Sequence, residues 1–168
     1  AALSPAGAFT IEMRVAPGEG WAKAGETFLL DKKYSGHTDY QLVIAQPERD
    51  GTRRLIARLG FGKTTETWTS EPLEWPEGQW RHVVFAYDGR GTGWFFVDGA
   101  PAGHEQRPGC GRVAAGDRPI AIGDRLGSSY HPFPGRLARV RFLSGLPRFE
   151  LVRLGTTPGQ RFVFRRGE

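Results

Sequence analysis

Two loops hold the side chains best suited to chemistry: Asp31-Lys-Lys-Tyr-Ser-Gly-His-Thr-Asp39 and Asp124-Arg-Leu-Gly-Ser-Ser-Tyr-His131. Each mixes an aromatic ring, an imidazole, a carboxylate and a cation. That mixture suits a sugar, whose C–H face stacks on a ring while polar groups fix its hydroxyls. The candidate contacts are Tyr34, His37, Asp39, Arg125, Tyr130 and His131. Arg125 has the planar fork to pair with a carboxylate or sulfate on an acidic sugar. Trp68 and Trp75, in a polar stretch, offer further platforms. The same region carries oxygen donors for a structural calcium: Asp31, Ser35, Thr38 and Asp39, with Asp117 and Asp124. None of them forms a defined calcium loop.

Catalytic patterns are missing. A retaining glycosidase needs two carboxylates about 5–5.5 Å apart, and alternate acids on one strand, as in ExDxxE, would supply them. The chain has no such run. Its densest acidic group, Glu66, Glu71, Glu74 and Glu77, is interrupted by Pro72 and Pro76 and reads as an exposed irregular loop. There is no GxSxG elbow, and His37, His82, His104 and His131 have no zinc spacing. Cys110 is the single cysteine, so no intrachain disulfide can form, and Pro108-Gly-Cys-Gly-Arg112 reads as a loop holding an incidental thiol.

Composition narrows the class. The chain has 168 residues, 39% hydrophobic and 24% charged, which fits one folded domain over 1–168. No apolar run reaches the roughly 20 residues of a membrane helix, so membrane insertion is not expected. No signal peptide is visible and there is no initiating Met, so the chain reads as mature or as a domain excised from a larger protein. Asn is absent, which removes N-glycosylation and any lectin site that needs an Asn ligand. The net charge of +5 is uneven: residues 1–124 carry 14 basic and 16 acidic side chains, residues 125–168 carry 9 and 2. Arg139, Arg141, Arg153, Arg161 and Arg165 are spaced as solvent faces of strands. No nucleic-acid motif accompanies them, so nucleic acid is not an expected partner.

The elements that must position the loops are strands. Phe9-Thr-Ile-Glu-Met-Arg-Val15 alternates, placing Phe9, Ile11, Met13 and Val15 on one face. Phe28–Leu30, Tyr40–Ile44 and Arg53–Leu59 follow. The segment from Gly78 to Gly99 reads as a long β-hairpin, Trp80–Tyr87 against Trp94–Val97, and Asp98-Gly99 then turns the chain into a return strand near Pro101–His104. Pro119–Ile122 is a short strand, and Arg136–Phe142 alternates with Ala138, Val140 and Phe142 inward. Arg161–Arg165 is expected as a last strand pairing with the first, and Phe149–Leu154 as an extra turn of helix. No longer window has helical spacing, and turn residues recur about every ten positions. This predicts an all-β, two-sheet antiparallel sandwich of jelly-roll type.

Four segments in order also resemble a known family. They are Phe9–Val15, Trp80-Arg-His-Val-Val-Phe-Ala-Tyr-Asp-Gly89, Phe96-Val-Asp-Gly99, and Ile120–Gly123 followed by Phe133-Pro-Gly-Arg-Leu-Ala-Arg-Val-Arg141. Together they look like a laminin-G-like, concanavalin-A-like lectin domain across about residues 8 to 144. The resemblance implies two antiparallel sheets, a binding role and not a catalytic one, a glycan or protein ligand, other domains in a larger parent chain, and an extracellular or cell-envelope location in a bacterium. It also implies a structural calcium in some members. One departure bears on that metal: an acid commonly precedes the final VR segment, where this chain has Ala138 and Arg139, although Glu12 of the first motif is present. A protein-interaction or spacer module and an unusual glycoside hydrolase are the alternatives, because this sandwich hosts all three.

Overall fold

A computed structural model describes residues 3–127 and 130–147, together with the backbone of 149–151 and 162–164. In chain order the strands are β1 (Phe9–Pro17), β2 (Thr27–Asp31), β3 (Tyr40–Ile44), β4 (Leu55–Gly60), β5 (Thr65–Thr69), β6 (Arg81–Tyr87), β7 (Thr92–Val97), β8 (Ala100–Gln106), β9 (Ala121–Ile122), β10 (Gly135–Ser144), β11 (Phe149–Leu151) and β12 (Phe162–Phe164). One 3-10 turn, Trp21–Lys23, interrupts them. Two five-stranded antiparallel sheets form, β10-β1-β6-β7-β8 and β5-β4-β3-β2-β9. The all-β sandwich expected from turn spacing is the fold.

Period-2 alternation fills the space between the sheets. Phe9, Ile11, Met13 and Val15 of β1 meet Leu42 and Ile44 of β3 and Leu55, Ala57 and Leu59 of β4 in one buried cluster with Val83, Phe85 and Tyr87. The predicted hairpin is present, with β6 and β7 in register from Val83↔Val97 to Tyr87↔Gly93. At Gly93 the space is full: a Cβ there would lie 2.8 Å from the Trp68 ring and 3.0 Å from Phe85. Asp98 and Gly99 both have positive φ, 52° and 79°, as the two-residue turn into β8 requires.

Several expectations need correction. Thr65–Thr69 is a strand and not part of an irregular loop; of its side chains only Trp68 is buried, so it shows no apolar alternation, and its β-branched threonines supply the strand preference. Trp68 is 0% exposed and Trp75 6%, so neither is a platform. Trp80 lies outside β6 and is exposed, with the Arg136 guanidinium 5.2 Å from its ring. In β10, Leu137, Val140 and Phe142 pack on the core, and Ala138 does not. The cause is a bulge. The pairs Glu12↔Arg141 and Arg14↔Ala138 leave two residues opposite one, and Arg139 takes the left-handed φ of 53°. Simple alternation cannot register that extra residue. The last strand pairs with β11 and not with β1, whose two edges are taken by β6 and β10. Phe149–Leu151 is a strand and not a helical turn. Arg139 and Arg141 are exposed as expected; Arg153, Arg161 and Arg165 lie outside the described residues.

Candidate functional site

The two loops singled out by composition are joined by one carboxylate. Asp31 ends β2 and is fully buried. Its Oδ1 accepts hydrogen bonds from the Lys33 amide (2.9 Å), the Tyr34 amide (2.7 Å) and Gln41 Nε2 (3.0 Å). Its Oδ2 accepts the Leu126 amide at 3.0 Å. Donation by the next two or three backbone amides is the local habit of Asp that turns a chain. Here that turn continues into a tie to a distant loop. Gln41 Nε2 also donates to the Tyr34 carbonyl at 2.8 Å. The Phe28 amide donates to the His131 carbonyl at 3.1 Å, which lays the second loop along β2.

Cations gather around Tyr34, which has a left-handed φ of 53°. The guanidinium of Arg118 lies 5.3 Å from its ring centroid and that of Arg125 lies 5.2 Å away. Arg125 also sits 5.8 Å from the Phe28 ring, which neighbours His131 at 5.7 Å. Gly127, at φ 67°, brings backbone against the phenol; a Cβ there would be 3.1 Å from Tyr34 Cε2. Tyr34 therefore has two guanidiniums and the Gly127 backbone against its ring. Lys33 is 5% exposed, and burial lowers its ammonium pKa; Asp31 opposes that shift, and Arg58 and Arg125 add to it. Tyr130 is 83% exposed. His131 has its Nδ1 3.2 Å from the Glu26 carbonyl.

The remaining two candidates point elsewhere. His37 is exposed, with Nδ1 2.9 Å from Thr65 Oγ1 at the start of β5. Asp39 is 0% exposed, which removes it from any rim and makes it structural. It receives Lys32 Nζ at 2.8 Å, Ser4 Oγ at 2.6 Å and the Gly116 amide at 3.0 Å. Lys32 Nζ also donates to the carbonyls of Arg118 (3.0 Å) and Gly116 (3.4 Å). Arg118 and Lys33 escaped sequence reasoning. Arg118 lies in a Gly/Pro stretch without periodicity, and Lys33 looks like one solvated lysine beside another.

The calcium donors do not fit a metal. Asp31 and Asp39 have committed their oxygens to protein donors, and Asp124 Oδ1 accepts the Arg125 amide at 2.7 Å. The cage of one carboxylate and two carbonyls, a set that suits a hard cation, contains the Lys32 ammonium. Among the described residues no three His, Cys, Asp or Glu side chains are grouped to hold a metal. Glu12 of the first motif pairs with Arg141 at 2.8 Å, a cation on the strand where an acid was expected, and lies 3.4 Å from His82 Nε2. Among the described residues no helix is long and apolar enough to cross a membrane.

Comparison with known proteins places the fold. The chain belongs to the concanavalin A-like lectin/glucanase superfamily, whose laminin-G model matches residues 1–146. No curated protein matches. Among solved structures it is similar to a native heptameric SAP-like pentraxin from Limulus polyphemus, at 18% identity and TM-score 0.60, over 98% of this chain and 84% of that one. It is also similar to domains LG4-5 of the mouse laminin α1 chain, at 14% identity and TM-score 0.62, over 96% of this chain and 38% of that one. A third is domain 4 of an extracellular arabinanase from Geobacillus stearothermophilus, solved with arabinotriose, at 18% identity and TM-score 0.59, over 85% of this chain and 63% of that one. The chain thus spans less than two thirds of the second and third. Identities this low establish the shared fold.

Proposed function

We propose that this domain is a non-catalytic glycan-recognition module, accessory to a larger extracellular or envelope protein of a bacterium. The observation that carries the reading is the Asp31 clasp, which holds two loops together, with Arg118 and Arg125 beside the Tyr34 ring and Tyr130 exposed on the second loop. Rims built from loops on a rigid sandwich are where such folds place recognition. A similar fold solved with arabinotriose supports a sugar as ligand. Two acids of the β1-β6-β7-β8 sheet are engaged in structure. Glu12 is held by Arg141, and Glu105 Oε2 accepts both Arg107 Nη2 (2.7 Å) and the Thr69 amide (2.9 Å).

The test is a broad glycan array on the folded domain, with calcium and with chelator. Binding to a defined glycan class, weakened by Tyr34→Ala or Tyr130→Ala, supports the rim. A blank array from folded protein overturns the glycan reading and leaves recognition of a protein ligand.

A further inference from the structure

We infer that the rim takes an anionic group, a carboxylate or a sulfate carried on the glycan, seated by Arg118 and Arg125 with Lys33 behind them. This deepens the glycan reading and rests on it. Hydrogen bonding at the rim is incomplete. Among the described residues, the Arg118 and Arg125 guanidiniums and the Lys33 ammonium donate to no protein acceptor. Arg125 Nε is itself buried without a partner. Buried donors almost always find an acceptor, and leaving a charged one unpaired is costly. That buried Arg125 Nε, with the exposed Arg118 guanidinium beside the same ring, points to an acceptor supplied from outside.

Charge points the same way. Asp31 is saturated by four donors, Asp124 caps the Arg125 amide, and Glu26 is taken by Arg58. Those three acids are thus engaged, while Arg118 and Arg125 approach the same ring. Lys33 and Arg125 lie close enough for the guanidinium to oppose the charged ammonium. An oxyanion would relieve both terms. Two planar guanidiniums beside the same ring also suit recognition of a carboxylate or sulfate.

The experiment titrates the intact chain with three polysaccharides: polygalacturonate, dextran sulfate and neutral dextran. The expected result is salt-sensitive binding to one or both polyanions and none to dextran. The first two arms tell carboxylate from sulfate. Arg118→Gln/Arg125→Gln should raise the Kd about tenfold or more, since a hydrogen bond to a charged group contributes about 1.5–3 kcal/mol. Its melting temperature should barely move, because those side chains make only ring contacts. Arg14→Gln/Arg136→Gln, on the opposite sheet, should change Kd less than about twofold. Polyanion binding weakened equally by both pairs, or by neither, overturns the proposal. Dextran binding that is as tight as polyanion binding, indifferent to the arginine pair but lost in Tyr130→Ala, overturns the anion site while leaving the rim as a glycan site. Failure of every glycan, here and on the array, overturns both readings.

Discussion

The Asp31 carboxylate and the Leu126 amide, 95 positions apart, are joined by a 3.0 Å hydrogen bond inside the sandwich rim. That bond fastens two loops already brought side by side by the pairing of β2 with β9. Asp31→Ala would strand four donors, three of them backbone amides. A loss of about 3 kcal/mol or more is expected in urea unfolding, together with loss of glycan binding. Asp31→Asn can keep one acceptor oxygen, so it should fold better than the alanine variant and still bind weakly. Equal stability of Asp31→Ala and the parent would show that the clasp is not formed in solution.

Lys32 and Asp39 form a buried pair, with Nζ 2.8 Å from Oδ2 and neither side chain more than 3% exposed. Removing one charge leaves the other uncompensated in a poorly solvated place. Lys32→Met is expected to cost about 3–5 kcal/mol. The double variant Lys32→Met/Asp39→Asn should be less damaged than the sum of the two single changes, because no bare charge remains. With the ammonium already inside the oxygen cage, calcium or chelator should leave the melting temperature of the parent chain unchanged. Calorimetry on the set checks both statements.

Arg53 is 2% exposed and has no acidic partner among the described residues. Its guanidinium lies 4.0 Å from the Trp21 ring centroid and donates to four carbonyls, those of Trp21, Ala24, Gly25 and Ala45. The plane thus ties the 3-10 turn and its exit to the end of β3. Arg53→Lys keeps the charge but has neither the plane nor enough donors. It should cost about 2 kcal/mol or more by chemical denaturation. Full stability of the lysine variant would mean that charge alone matters there.

Alkaline pH should unfold the domain through two phenols. Tyr40 donates to the Leu3 carbonyl at 3.0 Å and Tyr87 to the Gly111 carbonyl at 2.6 Å. Burial, first, pushes both pKa values well above the ordinary 10; Asp39 adds to the shift at Tyr40, and Cys110 and Asp88 add to it at Tyr87. Above pH 10 the unfolded chain loses phenol protons that the folded chain retains, so stability falls as pH rises. The slope should approach about 1.4 kcal/mol per pH unit for each phenol. Below pH 10 both contribute fully. Tyr40→Phe/Tyr87→Phe should flatten the alkaline limb of a stability-versus-pH curve, and an unchanged slope would refute the assignment.

Much of this molecule is legible in its sequence because strands write their environment at period two. The inward set of β1, the β6–β7 hairpin and the Asp98-Gly99 turn could be read directly, since each depends on neighbours within a few residues. Where one residue broke the period, reading failed: the bulge at Arg139 shifted the inward set of β10. Where a strand buried only one ring, as at Thr65–Thr69, there was no alternation to read. Tryptophans flanked by polar residues looked exposed, but burial is decided by what packs over them.

The site divides the same way. The sequence by itself determined an all-β sandwich of this superfamily and the two loops in which polar chemistry collects, because strand periodicity and turn residues are local properties. Only the tertiary structure decided which members of those loops meet. It withdrew Asp39 into an ion pair and turned His37 toward β5. It brought in Arg118 from a stretch without pattern, and left Arg125 beside Tyr34 with a buried Nε that no described residue accepts. Those outcomes depend on a carboxylate at Asp31 reaching an amide at Leu126 and an ammonium at Lys32 reaching the carbonyl of Arg118. Such long-range pairings follow from the packing of the sheets, and no short window of sequence contains them.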